Sequence, residues 1–145
     1  MSFQFWQRYL MVAVGATVAY GSFLAVRPDL ATSMFSFMFF GDLDHIGAFP
    51  RGSVAYVEFL TAVLGSVLIG WGVTLLLVVH YPFKNHEPYA WNMVVMSILA
   101  WYVPDTIISV MTGFWQNAVM NTGFLVMFAI GLIPTRARPR GAGPA

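Results

Sequence analysis

The sequence predicts an all-α membrane protein, a polytopic four-helix bundle. Hydrophobic residues make up 59% of the 145 residues and charged residues only 9%, whereas about 25% of the residues in a soluble domain are charged. Four long apolar stretches cover about residues 6–26, 54–79, 90–112 and 117–133. Because these stretches use nearly the whole length, we expect one domain whose stability comes from helix packing within the bilayer.

The first apolar stretch, residues 6–26, ends at Arg27, Pro28 and Asp29. It has about twenty residues, enough to cross a hydrocarbon core of roughly 30 Å. The proline removes a backbone donor and so favours a helix end. A cleavable signal peptide has a shorter apolar run followed by small residues. We therefore interpret this stretch as a retained transmembrane helix.

A longer connection follows, with an aromatic and methionine-rich run at residues 34–40. The run is too short to span a bilayer and too apolar for water, which favours a short interfacial helix or a re-entrant segment over the mouth of the bundle. A plain packing lid is the alternative. The following Asp42, Asp44 and His45 are more typical of a solvated turn than of a metal site, so no metal is expected.

The second, third and fourth stretches alternate with short connections, which predicts antiparallel neighbours. The second contains one acid, Glu58, and the third contains Asp105 directly after Pro104. The proline removes a helical hydrogen bond and predicts a kink. The fourth is the shortest, about seventeen residues, near the lower limit for a span.

The distribution of basic residues predicts the orientation, because Lys and Arg are retained on the cytoplasmic side. An even number of spans places both termini together. The side of the termini carries five basic residues, Arg8, Lys84, Arg136, Arg138 and Arg140, and the other side carries Arg27 and Arg51. We expect both termini to be cytoplasmic. The segment 136–145 is interpreted as a disordered basic tail that touches anionic membrane lipid.

Polar side chains within the stretches concentrate in the half of the bundle opposite the termini. An acid at this depth should face the interior and be protonated or hydrogen bonded. The predicted ligand-binding group therefore combines the two acids with nearby polar and aromatic residues: Glu58, Asp105, Asn117, Asn121, Trp101, Tyr56 and Tyr20. The functional interpretation is a pocket for a polar head group or a cation, or a path for protons, and the alternative is an inter-helix hydrogen-bond clamp.

The second stretch also has small residues at four-residue spacing. Glu58, Ala62, Ser66, Gly70 and Thr74 form a slowly turning row, with Gly65 and Gly72 on an adjoining face. Small side chains let helices approach closely. We predict helix packing through Ala62, Ser66, Gly70, Gly65 and Gly72. A surface for a second copy or another subunit is the alternative.

Several functions are disfavoured by what the sequence lacks. The chain has no cysteine, which excludes a disulfide, a thiolate metal site and a cysteine nucleophile. No phosphate-binding glycine loop, nucleophile elbow or paired-histidine motif is present. The formal charge of +1 does not suggest nucleic-acid binding, and no cofactor is predicted.

Residues 101–106 and 113–118, together with 63–65 and 70–72, resemble small uncharacterised four-helix bacterial membrane proteins. The chain is broadly similar to the DoxX-like group over most of residues 6–133. This resemblance implies a four-helix fold in the inner (plasma) membrane and transfers no activity. By architecture alone, the chain is also similar to the sterol-isomerase and sigma-2-like proteins, which place acids inside an apolar cavity.

These observations favour a protein that binds a hydrophobic or amphipathic small molecule, or a lipid, in a pocket containing Glu58 and Asp105. A non-catalytic accessory subunit, docked on a membrane partner or on a second copy, is the alternative. A third hypothesis is an enzyme that modifies a lipid by acid–base exchange, which requires the two carboxyl groups within about 5 to 9 Å of each other.

Overall fold

The computed structural model describes residues 2–87 and 89–136. Their helices are α1 (Phe3–Val26), α2 (Pro28–Phe40), α3 (Arg51–Val78), α4 (Ala90–Met111) and α5 (Trp115–Leu132). A π-helical turn, Val79–Phe83, continues α3, and a short 3-10 turn, Ile133–Thr135, continues α5. Four of the helices, all except α2, are long and apolar enough to span a membrane. This confirms the predicted all-α helical bundle, while residues 137–145 of the predicted tail lie outside the described residues.

The four long helices run alternately up and down. Gln7 Nε2 at the start of α1 donates to the Val79 carbonyl oxygen at 3.2 Å. Trp91 Nε1 at the start of α4 donates to the Leu132 carbonyl oxygen at 3.0 Å. The starts of α1 and α4 and the ends of α3 and α5 therefore meet at one end of the bundle, here the terminal end. Helix α2 lies at the opposite end.

The helix that contains α3 extends further than its predicted span of 54–79. It begins at Arg51 and stays helical through Pro82 to Phe83 by way of the π-helical turn. Val79 and Phe83 are both buried, and the Phe83 ring stacks on Phe3 with centroids 5.4 Å apart. Tertiary burial of Phe83 explains why the helix continues through residues 80–83, beyond the end of the predicted span.

A short helix, α2, contains the aromatic run between the first two spans. Its end is fixed by Ser36, whose hydroxyl donates to the Asp42 carbonyl oxygen at 2.7 Å and accepts from the Ile46 amide at 3.2 Å. At its start, Arg27 pairs with Asp29 at 2.7 Å. The hydrogen bond from Arg27 lowers the pKa of Asp29 to about 2. These contacts define the corners on both sides of α2.

The main cluster of buried apolar side chains lies toward the terminal end. Side chains from all four long helices meet there, and their members include Leu10, Val14, Leu75, Val79, Val94, Ile98 and Phe128. Over their whole lengths, α1 packs closely on α3 and α4 on α5, while α3 and α4 contact each other far less. The bundle is closed near the termini by the buried core and split between α3 and α4 toward α2, where residues of both helices line a cavity.

Helices α1 and α3 meet through glycines. A Cβ atom added to Gly65 would lie 2.5 Å from the Gly21 carbonyl oxygen, and one added to Gly72 would lie 2.5 Å from Val18 Cγ2. Both distances are shorter than any ordinary contact. These glycines therefore form the close approach of α1 and α3.

The four-residue row that was also assigned to packing is not in this contact. Ser66, Gly70 and Thr74 are exposed, Ala62 is half-buried, and a Cβ on Gly70 would meet nothing within 4 Å. A step of four residues turns about 40° too far round a helix, so the row rotates by about 160° between Glu58 and Thr74. The close contact with α1 therefore involves Gly65 and Gly72 on the adjoining face, while Ser66 and Gly70 of the row lie outside it.

Candidate functional site

A cavity of about 570 Å³ occupies the split half of the bundle. Trp71 of α3 donates its indole N–H to Ser97 Oγ of α4 at 2.6 Å and lies 5.7 Å from the Trp101 ring. Trp71 and Trp101 both line the cavity, and so does Phe128 from the buried core. The two tryptophans and Phe128 thus form its wall toward the terminal end.

The cavity walls are mostly apolar, with polar groups at the end nearer α2. The aromatic part consists of Phe35, Trp71, Trp101, Phe124 and Phe128. The polar part at this end includes Tyr20, Asp105, Asn117 and Asn121. An apolar space with a few convergent polar groups is the usual composition of a small-molecule site, and its volume falls within the usual range of about 300 to 1,000 Å³.

Helices α4 and α5 are joined at the polar end by a hydrogen-bond network. Asn117 Nδ2 donates to Asp105 Oδ1 at 3.0 Å and to Ser109 Oγ at 2.8 Å. The Ser109 hydroxyl donates to the Asp105 carbonyl oxygen at 2.7 Å. Within the described residues, Asp105 Oδ2 has neither a hydrogen-bond donor nor a basic partner. The network fixes the carboxylate and leaves one of its oxygens available.

Two further polar atoms of the cavity-lining residues lack partners. Within the described residues, Tyr20 Oη and Asn121 Nδ2 are buried and make no hydrogen bond. Asn121 is only 1% exposed, and the Tyr20 ring packs on Phe124 with centroids 5.8 Å apart. A buried donor without a partner costs about 1 to 3 kcal/mol. Both residues can donate a hydrogen bond to an acceptor.

The other two residues predicted for this pocket lie outside it. Tyr56 is 62% exposed and Glu58 is half-buried, and neither lines the cavity. In the described part of the chain, no hydrogen bond joins Glu58 to Asp105. Glu58 shares a helical face with Gly65 and Gly72, because seven residues are almost two full turns. It therefore lies on the glycine side of α3, turned away from α4.

Sequence reasoning missed much of the aromatic wall, including Trp71, Phe124 and Phe128. One signal could have found the part on α5. Asn117, Asn121, Phe124 and Phe128 are spaced by four, three and four residues, so they share one helical face. That face of α5 is polar at its start and aromatic further along, and the cavity wall changes in the same direction. Ser109, which completes the network, lies one turn after Asp105 and could have been found in the same way.

Within the described residues, no group of three His, Asp or Glu side chains is placed to hold a metal ion.

No protein-family model, no curated protein and no solved structure matches this chain.

Proposed function

We propose that this protein binds an amphipathic small molecule or lipid in the cavity between α1, α3, α4 and α5. The observation that carries the proposal is the cavity of about 570 Å³ with aromatic walls and one polar end. The apolar part of the ligand packs against Trp71, Trp101 and Phe124. Its polar group lies toward Asp105 and Asn121.

The unpaired groups specify the chemistry of the ligand's polar end. Tyr20 and Asn121 supply buried donors, and Asp105 Oδ2 supplies an acceptor. A hydroxyl group on the ligand can pair with both kinds of group, because it accepts one hydrogen bond and donates another. A cationic amine suits Asp105 as well, since no basic side chain of the described residues pairs with this carboxylate. The proposed ligand is therefore an alcohol or amine on an apolar body.

The cavity has an opening through which a ligand dissolved in the bilayer can enter. Leu64 of α3 and Ala100, Pro104 and Ile108 of α4 line it and are exposed. Ile108, three residues before the end of α4 at Met111, is 60% exposed. The opening lies between two spanning helices, so it faces hydrocarbon. This position favours a lipid-phase ligand over a water-soluble one.

The proposed setting is the bacterial inner membrane with both termini in the cytoplasm. Arg8, Lys84 and Arg136 are at the terminal end, and Arg27 and Arg51 are at the opposite end. The excess at the terminal end supports this orientation. The cavity would then lie in the outer half of the bilayer. The DoxX-like resemblance agrees with this setting and stays a prediction.

We expect a bound small molecule to be retained through gentle extraction and to depend on Asp105. Native mass spectrometry of the protein from its own membrane is the measurement. Asp105→Asn keeps an acceptor for Asn117 but removes the negative charge, so retention should fall about tenfold, corresponding to one charged hydrogen bond. Tyr20→Phe, which removes only a hydroxyl group, should reduce retention several-fold.

Glu58→Gln is the matched control, because it makes the same chemical change outside the cavity. Its adduct should equal that of the wild type. Thermal unfolding of each variant shows whether the fold is intact. Equal retention in Asp105→Asn, Glu58→Gln and the wild type contradicts the proposal, and so does a wild-type protein that carries no small molecule.

The accessory-subunit alternative depends on the exposed row of α3. Ser66 and Thr74 donate their hydroxyl protons to the carbonyl oxygens of Ala62 and Gly70 on their own helix. The two hydroxyl groups of the row therefore need no partner from outside the helix. A second polypeptide in the same mass spectra, without a small molecule, would favour this alternative. The lipid-modifying hypothesis lacks its carboxylate pair, since Glu58 does not line the cavity.

A further inference from the structure

A second, smaller groove lies between α4 and α5 at the terminal end. Its volume is about 240 Å³, and its walls are apolar side chains, among them Val95 and Leu99 of α4 and Leu125 and Ala129 of α5. Ile133, at the edge of the groove, is 70% exposed. The groove therefore opens on the outside of the bundle, toward hydrocarbon. Eight residues of α4 separate Trp91 from Leu99, so it extends for about 12 Å along the helix.

Among the described residues that line this groove, one carries a positive charge, Arg136, at the end of the groove. The Arg136 guanidinium carbon is 5.4 Å from the centroid of the Trp91 ring, within the range of a cation–π contact. Trp91 is itself fixed by the hydrogen bond from its indole N–H to the Leu132 carbonyl oxygen. Within the described residues, Arg136 makes no salt bridge. The Arg136 guanidinium is positioned by the Trp91 ring and keeps N–H donors, so it is suited to bidentate contact with a phosphate.

We propose that this groove binds an anionic phospholipid of the leaflet at the terminal end. The phosphate contacts Arg136, and an acyl chain occupies the apolar groove alongside Val95 and Leu99. Charge complementarity and position both favour this occupant, because the guanidinium lies where an apolar helix surface ends and the interfacial region begins.

This site is separate from the cavity of the proposed function and does not depend on it. The two spaces share one wall residue, Phe128, which is buried between them. The charged groups at their polar ends have opposite sign. The cavity offers the Asp105 carboxylate, whereas the groove offers a guanidinium. A phosphate is therefore expected at the groove and not at the cavity.

The test is binding of dioleoyl phosphatidylglycerol against dioleoyl phosphatidylcholine to the purified full-length protein, measured by native mass spectrometry. We expect the wild type to prefer phosphatidylglycerol. Arg136→Gln should weaken phosphatidylglycerol binding about tenfold and leave phosphatidylcholine unchanged. Ala129→Leu, which adds bulk inside the groove and keeps Arg136, should weaken binding of phosphatidylglycerol as well.

Arg8→Gln is the control for charge alone, since Arg8 is an exposed arginine of the terminal end that does not line the groove. It should retain the wild-type preference. If Arg8→Gln and Arg136→Gln weaken phosphatidylglycerol binding equally, the preference comes from the general positive field and the proposed site is wrong. An Ala129→Leu variant that folds and binds phosphatidylglycerol like the wild type also overturns it.

Discussion

Gly65→Ala is expected to destabilise the bundle by about 3 kcal/mol, the upper part of the usual range for an overpacked core. The added methyl group would lie 2.5 Å from both the Ala25 nitrogen and the Gly21 carbonyl oxygen. These are backbone atoms of α1, so no side-chain rotation can relieve the overlap. Helices α1 and α3 must move apart along their shared length and lose the contacts between them.

The same substitution at Gly70 is not expected to destabilise the bundle. Gly70 lies on the same helix, and its added methyl group meets nothing within 4 Å. Alanine is the better helix former by up to about 1 kcal/mol, so Gly70→Ala should be neutral or stabilising. Unfolding free energies in detergent, followed by circular dichroism, give both values. Similar changes at the two positions would contradict the close α1–α3 contact.

Phe128→Ala should cost about 2 to 3 kcal/mol of stability. Phe128 is only 1% exposed and lies edge-on to Trp71, with ring centroids 6.4 Å apart. Phe to Ala changes in soluble cores cost about 3 to 5 kcal/mol. The value is lower here because an unfolded helix in a bilayer is still surrounded by apolar chains, so mainly the cost of the empty space remains.

This variant has a second expected effect, because Phe128 lies between the cavity and the groove. Removing its ring should join the two spaces, and the set of retained molecules should broaden. Phe59→Ala is the matched control, since Phe59 of α3 is exposed and lines neither space. Its unfolding free energy and its adducts should match the wild type. An unchanged stability in Phe128→Ala would mean that this residue is not part of the packed core.

Part of the candidate site follows from local sequence. Asp105, Asn117 and Asn121 are polar residues at matching depths in consecutive spans, and a short turn makes those spans neighbours. The depth of a residue along its helix depends on the rise per residue and on the position of the helix end, and the sequence predicts that end. The hydrogen bonds from Asn117 to Asp105 and Ser109 agree with that reasoning. Glu58 has a matching depth too, but it lies on another face of its helix.

The sequence by itself determined the number of spans, their alternating direction and the depth of each polar residue, because length and mean hydropathy are properties of each segment alone. Only the tertiary structure decided how each helix is rotated about its axis. In water, an apolar face marks the interior, but in a bilayer both the interior and the surroundings are apolar. Rotation is therefore set by close packing, here of Gly65 and Gly72 on α1. That packing turns Glu58 away from the cavity and leaves Trp71 to line it.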